Sequence, residues 1–204
     1  TGSANVAIGE QTLRYNTTAS NNTAVGVYSL NDNTTGSGNV AVGSSALQKN
    51  TTAGSNSAIG CLALYSNTTG ARNTAVGKGA LQENTTGANN AAVGEGALQA
   101  NTTASDNAAF GHDSLNANTT GTQNSAFGYR SMPANTEGTQ NTAVGHQALG
   151  ANTTGGANVA IGFGSMEANT TGTSNLGVGY CALSSNTTAA NNTAVGPFAM
   201  RVNT

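Results

Sequence analysis

The chain has 204 residues, which is 12 × 17, and only 7% of them are charged, with a net charge of −2 from 6 Lys and Arg against 8 Asp and Glu; ordinary globular proteins carry about 25% charged residues. This balance excludes a nucleic-acid binder, which needs a basic surface, and a charge-solvated disordered tail, which needs high net charge. No apolar run approaches the roughly 20 residues of a membrane span, and no targeting segment is legible, which predicts that one was removed or that the chain is a piece of a longer one.

Residues 1–204 read as one repeat region of twelve 17-residue repeats, starting at 5, 22, 39, 56, 73, 90, 107, 124, 141, 158, 175 and 192. With position 1 set at Asn5, every repeat begins with Asn, from Asn5 to Asn192. Positions 2–4 read x-A-V, a short β-branched segment that predicts a strand; position 3 is Ala except at Gly177, and position 4 is Val, Ile or Phe. Position 5 is Gly throughout, from Gly9 to Gly196, and is expected to supply φ > 0. Positions 8–10 read A-L-x and predict a second strand. Position 12 is always Asn and position 13 always Thr. Both Asn columns are expected at turns, bonded to their own backbone or stacked as an asparagine ladder. Position 15 is Gly in eight copies but Ala at Ala19, Ala53, Ala104 and Ala189; Ala resists φ > 0, so this position calls for smallness rather than handedness.

Twelve copies without an insertion or deletion point to coils that stack, because one extra residue would shift every column. Gly and N-T-T in each period count against helix. The expected fold is therefore all-β: a parallel β-solenoid, β-roll or β-helix, of twelve coils. At about 4.8 Å per coil the rod would be roughly 55–60 Å long. Neighbouring apolar positions 3 and 4, and 8 and 9, point to opposite faces of a strand. Positions 4 (Ile8, Val25, Val42 onward) and 9 (Leu13, Leu30, Leu47 onward) are expected to fill the interior. The small residues at 3 and 8 are expected to line a contact between chains.

Positions 6, 7, 10, 11, 16 and 17 vary, and they hold nearly all the charges, including Glu10, Lys49, Lys78, Arg130 and Arg201, as well as Pro133 and Pro197. The prolines are expected at solvent-facing bends. Cys61 and Cys181 lie about seven coils apart and cannot meet within one chain. His112 and His146 both fall at position 6, two coils apart, too far to share a metal, and read as surface variation. With three Asp and no G-G-x-G-x-D, calcium β-roll chemistry is not expected. No nucleophile–base set or carboxylate pair recurs. The sequence thus predicts no catalytic, cofactor-binding or metal-binding residue, no cofactor and no enzyme.

N-T-T also spells a glycosylation sequon at Asn16, Asn33, Asn50 and most later copies, though not at Asn135-Thr136-Glu137. Sugars every ~4.8 Å would crowd one another, so stacked turns are the favoured reading. The Thr columns at 13 and 14 raise an ice-binding solenoid as an alternative. Adjacent Thr side chains would point oppositely in a strand, and Glu137 interrupts the second column.

The pattern N-T-A-V-G-x-x-A-L-x-x-N-T-T-G, seen at Thr193-Ala194-Val195-Gly196 and Asn84-Thr85-Thr86-Gly87, resembles repeats of bacteriophage tail fibres and related bacterial surface fibres. It is also similar to the head repeats of trimeric autotransporter adhesins. The resemblance covers the whole chain and implies a left-handed parallel β-roll or β-helix assembled as a homotrimer. The resulting expectation is a structural fibre segment, a rigid rod in an extracellular, cell-surface or virion appendage, whose partners are identical chains. An alternative is an adhesin head that binds a host-surface glycan or protein receptor through its variable columns; an aromatic stripe through Tyr129, Phe163 and Tyr180 would favour it. The terminal repeats match the pattern as well as the middle ones do, so continuation of the solenoid, or end-to-end stacking of identical pieces, is expected beyond both ends.

Overall fold

The computed structural model describes residues 2–202. Twelve three-residue strands, from β1 (Val6–Ile8) to β12 (Thr193–Val195), form a single sheet in strict chain order. Every neighbouring pair is parallel and offset by one repeat, as in Val6↔Thr23 and Ala7↔Ala24. The coil is therefore the 17-residue repeat itself, and the expected parallel β-solenoid is the observed fold. Its strands occupy positions 2–4 of each repeat. Eleven inter-strand steps at the usual sheet spacing give a sheet about 53 Å long.

The predicted second strand at positions 8–10 is absent. The chain there makes a tight turn in which positions 7 and 9 are left-handed: Leu62 and Leu64, for example, have φ of 60° and 51°. Position 17 is left-handed as well, as in Arg72 (φ 59°) and Asn89 (φ 59°). A left-handed residue other than Gly costs roughly 1–2 kcal/mol. Bonds to adjacent coils hold these turns: Leu64 N–H donates to Ala80 O at 3.0 Å, and Leu62 N–H to Ser44 O at 3.0 Å.

The interior also departs from expectation. Position 9 fills it, with Leu30 through Leu183 fully buried and Met at 132 and 166. Position 4 faces outward instead: Ile59 is 44% exposed and Ile161 40%, against 0% for Leu64 and Met166. Positions 3 and 8, expected between chains, are the other wall of the same narrow core, with Ala58, Ala63, Ala75 and Ala80 all buried. The reason is spatial. A 17-residue coil encloses room for one Leu or Met and two Ala methyls, so the strand turns its small residue inward and its large one outward. Where position 8 is Ser, its hydroxyl bonds a carbonyl of the next coil, as Ser29 Oγ does to Ala41 O (2.9 Å).

Gly at position 5 has φ between +124° and +137° in every coil. A Cβ on Gly94 would lie 2.4 Å from Gly111 O, so both conformation and close approach require Gly. Position 15 is not left-handed, and Ala19, Ala53 and Ala104 are buried there, as its small-residue pattern predicts.

The two Asn columns close and stack the coils. Asn56 Nδ2 and Asn67 Nδ2 both donate to Gly70 O, at 3.0 and 2.9 Å, tying positions 1 and 12 of one coil to position 15. Asn67 Nδ2 also reaches Asn50 Oδ1 in the preceding coil (3.0 Å), and Asn73 N–H donates to Asn56 Oδ1 (2.9 Å). The same links recur from coil to coil. Buried amides are tolerated because nearly all their polar atoms are bonded; among the described residues Asn186 Oδ1, near the C-terminal end of the column, is the exception.

Candidate functional site

The outer wall carries most of what differs between coils. Positions 2 and 4 of the sheet face outward; position 4 forms an apolar stripe that includes Val42, Ile59, Phe110, Phe127 and Ile161, each exposed, beside a position 2 that mixes Val, Ala and Leu with Ser and Thr. Phe110 and Phe127 stack within it, with ring centroids 5.0 Å apart.

Position 6 forms a second stripe beside the first. His112, Tyr129, His146, Phe163 and Tyr180 stack in one unbroken file, with centroids 4.9–5.5 Å apart and rings within 18° of parallel. Phe198, at position 7, closes the file edge-on against Tyr180 at 5.1 Å. The sequence places Tyr129, Phe163 and Tyr180 on one stripe. His112 and His146, read there as surface variation, are the rings that make it continuous. All five occupy one repeat position, and that shared position is the signal for their contact. Because the rings lie face to face, their faces cover one another and their edges point outward. Such a ridge offers ring edges, bearing Tyr hydroxyls and His nitrogens, rather than open faces for stacking.

The other singled-out residues stay apart. Cys61 and Cys181 are free thiols, one exposed and one half-buried. Pro197 is exposed and Pro133 half-buried. Pro133 forfeits only the short turn bond that position 10 makes elsewhere, as in Gln99 N–H to Gly96 O (3.3 Å). No group of three or more His, Cys, Asp or Glu could hold a metal among the described residues, and no helix there is long and apolar enough to cross a membrane. The two Thr columns lie in a bend, not a strand, and face different surroundings. Thr68 Oγ1 donates to Thr85 O in the next coil (3.0 Å), whereas Thr69 at position 14 is exposed. One Thr column thus serves the coil stack, and the outward column is broken by Glu137.

Both ion pairs among the described residues lie in coils 5–7. Lys78 Nζ meets Glu95 Oε1 at 3.2 Å, and His112 Nδ1 meets Asp113 Oδ2 at 3.2 Å. A notch of about 130 Å³ opens between these pairs where position 7 is Gly in two successive coils, at Gly79 and Gly96. Compared with known proteins, the chain matches no family model, no curated protein and no solved structure.

Proposed function

We propose that the chain is a structural fibre segment: a rigid rod, built from side-by-side copies of itself, in an extracellular, cell-surface or virion appendage. The observation that carries this reading is the contrast between an interior of identical bonded columns and an apolar stripe left open along the whole sheet. Monomeric proteins rarely expose long contiguous apolar patches. A second copy has the same coil spacing as the stripe and can match it coil for coil. Three copies meeting along this stripe would make the homotrimer that the resemblance to fibre repeats implies. The contact then runs through positions 2 and 4, not 3 and 8. Sedimentation and small-angle scattering test this: the expected particle has three times the chain mass and a length near 55 Å. A folded, stable monomer overturns the assembly, and Val42→Asp with Ile59→Asp should release monomers without unfolding the coil.

A second reading has its own support. The aromatic file at position 6 is the kind of uneven stripe that favours a binding module over a plain rod, and it occupies one half of the molecule only. Retention on arrays of glycans and surface proteins, lost in a Tyr129→Ala, Phe163→Ala, Tyr180→Ala variant, supports recognition through the variable columns; equal retention by that variant counts against it.

A further inference from the structure

Position 7 carries a side chain in most coils, yet two successive coils place Gly there. The notch that results is about two coils long, or roughly 10 Å along the axis. Its walls hold planar hydrogen-bonding groups: Gln82 and Gln99, whose amides lie 3.5 Å apart, and the carboxylates of Glu95 and Asp113. Asn116 Nδ2 donates to Gly96 O (2.8 Å) and fixes that side of the notch. A Cβ at Gly96 would lie 2.5 Å from Asp113 Oδ1 and would push that carboxylate aside. At its upper end stands His112, the first ring of the aromatic file. His112 stacks on Tyr129 and lines the notch together with Glu95, its neighbour in the same column one coil below.

We propose that this notch binds a single neutral sugar ring, as a terminal or side-chain residue of a glycan. The proposal rests on the reading of the variable columns as a recognition surface and names the ligand class and the place. Sugars present several hydroxyls, each both donor and acceptor, and the wall offers both kinds of partner within one ring's reach. An anionic ligand would meet Glu95 and Asp113, and a cation would have to displace Lys78 from Glu95. The volume is below that of sites for drug-sized molecules, which start at roughly 300 Å³, so one ring is the fitting size.

The test is an NMR titration of the ¹⁵N-labelled chain with D-galactose, D-glucose and N-acetyl-D-glucosamine, each to about 50 mM, since affinity for one small ring is expected on the order of millimolar. At least one sugar should give saturable shifts at the amides of Gly79, Gly96 and His112. Gly79→Leu fills the notch and is compatible with the backbone, because Leu62 adopts the same φ of about 60° at this repeat position. It should weaken binding at least tenfold with an unchanged circular dichroism spectrum. Glu95→Gln, which alters one exposed side chain, should weaken it severalfold. Absence of saturable shifts with all three sugars, or shifts unchanged in both variants, overturns the proposal. Glycan-array retention that survives Gly79→Leu but not the triple aromatic substitution overturns the notch while keeping the recognition surface; no array retention at all overturns both.

Discussion

At position 9 the first six repeats place Leu13 through Leu98, and the next five place Leu115, Met132, Leu149, Met166 and Leu183. At position 6 the same two groups differ completely: Glu10, Val27, Ser44, Cys61, Lys78 and Glu95 stand against His112, Tyr129, His146, Phe163 and Tyr180. One half is a mixed polar file and the other a continuous ring stack, on an unchanged interior. In a solenoid each coil contacts only its neighbours. Inner positions are therefore tied to the coil above and below, while outer positions can change in blocks without disturbing the fold.

The strongest challenge to that equivalence is at position 5. Gly94→Ala in the polar half and Gly145→Ala in the aromatic half should each cost roughly 4 kcal/mol, because both combine a conformation closed to Ala with a clash against the next coil. Thermal unfolding should show equal losses, and hydrogen exchange should rise around the altered coil. A large difference between the two would mean that the outer file supports the interior.

Next in size is the amide column. Asn101 donates to Asn84 Oδ1 (2.8 Å) and Ala104 O (3.0 Å) and accepts from Asn118 Nδ2 (2.9 Å). Asn101→Leu strips all three bonds from buried partners and should destabilise by about 3 kcal/mol, read as a fall in the urea midpoint. The smallest effect separates the halves. Tyr129→Ala removes a ring stacked on two others and should cost about 1 kcal/mol. Lys78→Ala, at the same repeat position, removes an exposed ion pair and should cost under about 0.5 kcal/mol. Equal losses would show that the ring stack adds nothing to stability.

Much of this fold is legible in the sequence. The uninterrupted period, the Gly at position 5 and the small residue at 15 each have one physical reading, and the coordinates follow it; the Asn columns have two readings, backbone bonding and a ladder, and Asn67 does both. Which way positions 3 and 4 point is not legible from polarity, since Ala and Val are both apolar; the size of the enclosed space decides it. The turn at 8–10 left a subtler mark. Position 9 is Leu or Met and never Val, Ile or Thr, and positions 7 and 17 likewise contain no β-branched residue, in a chain otherwise rich in Thr and Val. All three positions are left-handed in the structure, a conformation in which β-branched side chains are outliers. Position 4, a true strand position, is Val or Ile in ten coils of twelve. The candidate site was less visible. The file of rings follows from one shared repeat position, but the notch depends on what Gly79 and Gly96 leave out, and no residue announces an omission.

The amide column has a sense of direction. Asn67 donates to Asn50, Asn84 to Asn67 and Asn101 to Asn84, always toward the lower-numbered coil. Cut anywhere, the stack shows Asn amide hydrogens on one fresh surface and Asn carbonyl oxygens on the other. Two segments meeting head to head would set like against like and leave buried amides without partners. Any end-to-end stacking of such segments would therefore be vectorial: each would have to arrive with the same orientation as the one before, an arrow set by a single side chain repeated at fixed intervals.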